Sequence, residues 1–104
     1  LLSQLKVKYK THKAYWDALA GLGCIACFME GRHNGYVSVH HISGRVKPNA
    51  HWYVLPLCGE HHQTSELALH RNKARFVQRY GTEMILWTQC NKRLFGNQLV
   101  GVGI

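Results

Sequence analysis

The side chains best able to do chemistry crowd into two short stretches of this chain. Val39-His40-His41-Ile42 carries one His-His pair, and Leu57-Cys58-Gly59-Glu60-His61-His62 carries another. The second pair hangs on a Cys-x-x-His spacing, and Cys24-Ile25-Ala26-Cys27 upstream supplies a matching knuckle. Thiolates and imidazole bind Zn2+ tetrahedrally, and two such knuckles can clamp one ion from two sides. Cys24, Cys27, Cys58 and His61 are therefore expected to hold a structural Zn2+. The bland alternative is a set of buried free thiols. Cys90 rivals them for the fourth place, but its expected helical position beside Leu86 and Leu94 suits a core thiol better. No secretory signal opens the chain, so the compartment reads as reducing and metal ligation is preferred over disulfides.

The remaining histidines suggest a second site. His40 and His41 are neighbours at an expected strand end, where successive side chains point to opposite faces. They share one metal poorly, so one would ligate and the other would face a substrate. His62 follows the zinc ligand His61 at an expected helix start, and His70 lies two helical turns on, on roughly the same side. His40, His62 and His70 could then converge on one cation and leave positions open for phosphate and water. Glu66, one turn after His62, is the rival third ligand. His12, His33 and His51 read as exposed or hydrogen-bonded residues with no part in the site.

The acids narrow the choice of metal. Asp17, Glu30, Glu60, Glu66 and Glu83 are scattered, whereas a carboxylate-held Mg2+ needs two or three acids converging on one point. Imidazole must hold most of any catalytic metal here, which favours Zn2+ or a similar transition ion. Thirteen Lys and Arg face five Asp and Glu, for a formal net charge of +8. Such a surface attracts polyanions, and nucleic acid is the expected partner rather than no partner at all. Arg45 and Lys47 are the best local phosphate contacts. Lys6, Lys8, Lys10 and Lys13 form a second basic run, equally well explained as a solvated helix face. No apolar run approaches the roughly 20 residues that span a bilayer, so no membrane association is expected.

These residues need a small scaffold to hold them. At 104 residues the chain is one expected domain, short enough that a metal staple would help its limited core. It begins at Leu1 rather than Met, so it is expected to be a fragment lacking an N-terminal segment. The pattern predicts a helix over 4–20 stopped by Gly21 and Gly23, a knuckle at 24–27 and a loop over 28–35. A strand over 36–39 ending at His40, a basic turn over 43–49 and a return strand over 52–55 closed by Pro56 would follow. Helices are predicted near 60–69, over 72–80 and over 82–91. Thr82 would N-cap the last, Glu83 would favour its N-terminus, and Met84, Trp87 and Leu94 would make its core contacts. The fold class is α+β.

Val-His-His-Ile, a second strand, then Leu-Cys-x-x-His-His resembles the HNH endonucleases, whose usual form is Asp-His, a central Asn and Cys-x-x-Cys-His. The resemblance covers about residues 24–80. It implies a small zinc-stapled ββα-metal domain over 1–104, with helical flanks at 1–20 and 82–95. Within that family, Pro56 to His62, a later His, and Phe76-Val77-Gln78-Arg79-Tyr80-Gly81 are most similar to the recombination-enhancement nucleases of temperate phages. That similarity implies a phage-encoded DNA endonuclease in the bacterial cytoplasm, with the RecA filament as its partner; the chain itself is expected to be a monomer. By the same resemblance His41 is the general base that activates water. His40 takes the metal-ligand place normally held by Asp, His62 is the last motif histidine, and His61 replaces the second knuckle cysteine. The catalytic cation would be Mg2+, Mn2+ or Zn2+. The central Asn is missing: its place falls on Tyr53, with Asn49 and His51 nearby. Two other readings compete, a non-catalytic zinc-binding nucleic-acid module and a protein-interaction adaptor. The first does not explain why His40, His41 and His62 occur together, and the charge argues against the second.

Overall fold

A computed structural model describes residues 1–96; residues 97–104, the end of the expected single domain, lie outside the described residues. The elements run α1 (Leu2–Lys8), α2 (His12–Leu22), α3 (Ile25–Met29), β1 (Val37–His41), a 3-10 turn (Ala50–Trp52), β2 (Val54–Cys58), a π-helical turn (Glu60–Thr64), α4 (Lys73–Tyr80) and α5 (Glu83–Phe95). The class is α+β, with one two-stranded antiparallel sheet among helices. No helix among the described residues is long and apolar enough to cross a membrane.

The predicted helix over 4–20 is two helices. Thr11 breaks it: its side chain accepts a hydrogen bond from Ala14 N at 3.0 Å and caps α2. At the far end Gly23 takes φ +82°, and a Cβ there would lie 2.9 Å from the Asn34 carbonyl oxygen. Only glycine allows that close approach. The turn it makes delivers Cys24, whose sulfur accepts from Cys27 N and caps α3.

The hairpin pairs His40 with Leu55 and His41 with Val54. Its return strand starts two residues later than the predicted 52–55 and runs through Pro56 instead of ending there. In a two-stranded sheet every strand is an edge, so a residue without N–H is tolerated. All five residues of β2 are buried, for α2, α3 and α5 pack on it. The core joins Tyr15 and Leu19 of α2, Ile25 of α3, Val54, Leu55 and Leu57 of β2, Phe76 of α4, and Leu86 and Trp87 of α5. Tyr15 donates to Asn91 Oδ1 at 2.7 Å, a buried bond between α2 and α5.

The predicted helix over 60–69 is the clearest departure. Only a π-helical turn forms, and the chain then doubles back, with Leu69 N bonded to His61 O and His70 N to His62 O. The remaining helices match more closely. Asn72 caps α4, Thr82 caps α5, and α5 runs on to Phe95 rather than ending at 91. Trp87 and Cys90 are buried and Leu94 packs against the core, but Met84 is 45 % exposed and is not the core contact expected.

Candidate active site

Two clusters of metal-ligating side chains share the hairpin. In the first, Cys24, Cys27, Cys58 and His61 are all buried, and one donor atom from each lies within 4.8 Å of the others. The spacings can be tested against a tetrahedron. Sulfurs about 2.3 Å from a common Zn2+ stand about 3.8 Å apart, and a sulfur and an imidazole nitrogen about 3.5 Å. Cys27 Sγ and Cys58 Sγ are 3.8 Å apart. His61 Nδ1 is 3.6 Å from Cys24 Sγ, 3.5 Å from Cys27 Sγ and 3.2 Å from Cys58 Sγ. This donor set fits Zn2+ in chemistry and in size. Burial pushes the Cys27 thiol up to about 12 and the Cys24 thiol upward as well, so without a cation these sulfurs would stay protonated. The outer face of His61 is held too: Tyr80 Oη stands 3.1 Å from Nε2 and donates to Glu30 Oε2. Cys90 lies apart in the core, its thiol pushed up to about 12 by burial.

In the second cluster, His40, His62 and His70 bring one ring nitrogen each within 4.8 Å of the others. His40 is buried, His62 half-buried and His70 exposed, so the cluster opens to solvent on one side. His62 Nε2 faces His70 Nε2 at 2.9 Å, a separation that suits either a shared cation or an imidazole–imidazole hydrogen bond. Burial first, then the neighbouring His40 and His70, push His62 down to about 4, so it is neutral and able to ligate near pH 7. Glu66 is exposed and outside the cluster. The expectation that His70 reaches the site by two turns of helix does not hold. The doubled-back chain after the π-helical turn brings it there instead.

Two further side chains orient these rings, and the sequence reading had not placed either at the site. His40 Nε2 meets Glu83 Oε2 at 2.7 Å, both groups being buried, while Lys73 Nζ bonds the other carboxylate oxygen at 3.0 Å. Burial works to raise the Glu83 carboxyl, but the bonds to His40 and Lys73 hold it below its ordinary value. His62 Nδ1 is met by Ser38 Oγ at 3.0 Å. A carboxylate or hydroxyl behind a ligating imidazole fixes its tautomer and ring orientation. Glu83 thus does more than favour the N-terminus of α5. Its position at a helix start, far along the chain from His40, gave no sequence signal.

His41 points away from His40, as adjacent strand residues do. It still lines the same groove, with Gly44, Arg45, His62 and His70. Its Nε2 lies 2.8 Å from His51 Nδ1, and its Nδ1 is buried with no hydrogen-bond partner among the described residues. Burial, then the Arg45 charge, hold His41 below the usual histidine range, so it is neutral and can accept a proton. His51, read from the sequence as an exposed or hydrogen-bonded residue, is hydrogen-bonded, and its partner is His41. His12 also approaches, its ring 5.1 Å from that of His51. Arg45 and Lys47 are exposed in the turn between the strands. Of the second basic run, Lys13 pairs with Asp17 at 2.9 Å and Lys6 bonds Asn49 Oδ1 at 2.7 Å.

The arrangement can hold one enclosed cation and one accessible cation, with a neutral imidazole beside the accessible one. Residues 10–99 match the model of a family described as recombination enhancement, RecA-dependent nuclease.

Proposed function

The chain belongs to the recombination-enhancement, RecA-dependent nuclease family, and from that premise we propose that it is a metal-dependent DNA endonuclease of the HNH kind. It hydrolyses phosphodiester bonds in DNA organised by the RecA filament. The observation that carries this reading is the juxtaposition of His40 on β1 with His62 and His70 from the segment that follows β2, one ring nitrogen of each within 4.8 Å of the others, with the neutral His41 lining the same groove.

Cys24, Cys27, Cys58 and His61 would hold a structural Zn2+ that ties α3 to β2. His40, His62 and His70 would hold a divalent cation, Mg2+, Mn2+ or Zn2+, which when bound supplies electrophilic stabilisation of the charge developing on the phosphate. Glu83 and Ser38 keep the His40 and His62 rings in their ligating orientation. His41 accepts a proton from the attacking water as general base. Arg45, at the mouth of the groove, and Lys47 beside it contact phosphates, so the strand is positioned through its backbone rather than its bases. A monomer acting in the bacterial cytoplasm, from a phage-borne gene, suits this reading.

Cleavage of plasmid and single-stranded DNA, with Mg2+ or Mn2+ and with or without a RecA filament, tests it. The expected result is strand scission that needs both the divalent cation and RecA, and that is absent from His41→Ala. DNA binding by wild type without scission under every one of these conditions would contradict the reading and favour a non-catalytic zinc-binding nucleic-acid module.

A further inference from the structure

The motif place usually filled by Asn is taken by Tyr53, which leaves open what supports the base. Tyr53 lends only its carbonyl, which accepts from Ile42 N at 3.0 Å, while its ring packs on Trp87. Asn49 sits in the left-handed region, at φ 64°, with its side chain turned to Lys6. The group that meets His41 is His51, Nδ1 to Nε2 at 2.8 Å.

His51 is itself held from several sides. Trp16 of α2 donates its indole N–H to the His51 carbonyl at 2.8 Å, and Trp87 of α5 donates to the next carbonyl, that of Trp52, at 2.9 Å. The 3-10 turn is thus pinned by two indoles from different helices just before β2 pairs with the strand bearing His41. The Trp16 ring lies edge-on to both imidazoles, 5.6 Å from each. The backbone at His51 is thereby held, and the imidazole presents Nδ1 to His41.

We propose that His51 is a positioning residue that fixes the tautomer of His41. Its Nδ1 accepts the proton on His41 Nε2, and the lone pair of His41 is thereby confined to Nδ1, which no described protein group occupies and which water reaches once the ring turns toward the groove that His41 lines. If His51 donated instead, His41 Nδ1 would carry a proton that nothing accepts and could take none from water. In the hydrolytic step an O–H bond of water breaks and an N–H bond forms at His41 Nδ1. The water's oxygen bonds to phosphorus as the bond from phosphorus to the 3′-oxygen breaks, and that oxygen leaves and takes a proton from solvent. His41 then bears a proton on each nitrogen, and His51 still accepts the one on Nε2. The inference rests on His41 being the base.

Two measurements test it. Long-range 15N–1H spectra of the imidazole rings in the zinc-loaded protein should show His41 as the Nε2–H tautomer, and His51→Ala should convert it to a mixture. In cleavage of whichever DNA the wild type cuts, His51→Ala should lower kcat about 10- to 100-fold, the range for removing a group that orients a working imidazole. KM and melting temperature should change little, and His51→Gln, which keeps an acceptor oxygen, should recover most of the rate. An Nδ1–H tautomer in the wild type, unchanged kcat in His51→Ala, or a loss that Gln does not relieve would overturn the assignment. Should wild type cut no DNA, the nuclease reading fails, and the tautomer spectrum still judges His51. The same spectrum decides if His51→Ala does not fold.

Discussion

The two ligand clusters are close neighbours in sequence and opposites in environment. His61 and His62 are adjacent, yet one joins three thiols in the interior and the other joins two imidazoles at a groove. Successive side chains of a helical turn point in different directions, so the neighbours His61 and His62 in the π-helical turn face different clusters. All four residues of the first cluster are buried, and its far nitrogen is closed off by Tyr80 and Glu30. The second runs from buried His40 to exposed His70. Thiolates in a closed site suit an ion that stays and holds the chain together. Imidazoles at an open site suit an ion that must meet substrate and water. The same hairpin can therefore carry stability on one side and chemistry on the other.

Breaking the closed side should have the largest effect. Structural zinc binding is worth on the order of 10 kcal/mol, against a total stability of roughly 5–15 kcal/mol for a domain. Cys58→Ser is expected to lose zinc and cooperative unfolding together, read by circular dichroism melting and metal content. Unchanged melting would remove the structural role from this cluster.

The open side should behave in the contrary way. His41→Ala is expected to slow strand scission by about 100- to 10,000-fold, the range for losing a general base. Melting and metal content should stay at the wild-type level. Loss of the second metal in this variant would move the ligand role from His40 to His41.

A smaller effect sharpens the ligand set. His70→Ala should weaken cation binding at the open cluster at least about 100-fold, since even groups that only support ligands cost 10- to 100-fold. Glu66→Ala should leave it unchanged. Metal titration of the two variants gives the comparison, and the reverse pattern would replace His70 by Glu66.

The smallest effect lies one step back from the metal. Glu83→Gln keeps the shape of the side chain but gives up the charge shared with His40 and Lys73. It should weaken the open site about 10-fold, at the low end for a supporting group. The closed site should keep its zinc, since Glu83 touches none of its ligands. Calorimetric titration with Mn2+ reads the first effect, and zinc content reads the second.

The legible part of this architecture was the part written in local spacing. The Cys-x-x-Cys and Cys-x-x-His knuckles, the alternation that parts His40 from His41, and the Thr82 cap are each set by residues a few positions apart. Long-range contacts were the illegible part. Glu83 reaches His40 from another element, and its local reading as a helix-start acid was sound but incomplete. His51 looked like an ordinary loop histidine because its contacts are long-range: His41 meets its ring, and indoles of α2 and α5 bond its carbonyl and that of Trp52. His70 was expected at the cluster by way of a helix that does not form. The segment after His62 satisfies its backbone groups by bonds from residues 69 and 70 back to 61 and 62 instead. Helical periodicity and this tight return bring the same side chains together, so the sequence could not tell them apart. The Thr11 cap was readable, but the single helix read through 4–20 concealed it.

The claim that two clusters on one hairpin divide stability from chemistry is tested most directly by native mass spectrometry combined with thermal melting, on wild type and His62→Ala. The account predicts two bound metal ions in wild type. In His62→Ala it predicts one, with melting near the wild-type temperature and no strand scission. A wild type that holds one ion only, or a His62→Ala protein that still cuts DNA or melts as poorly as Cys58→Ser, would contradict it.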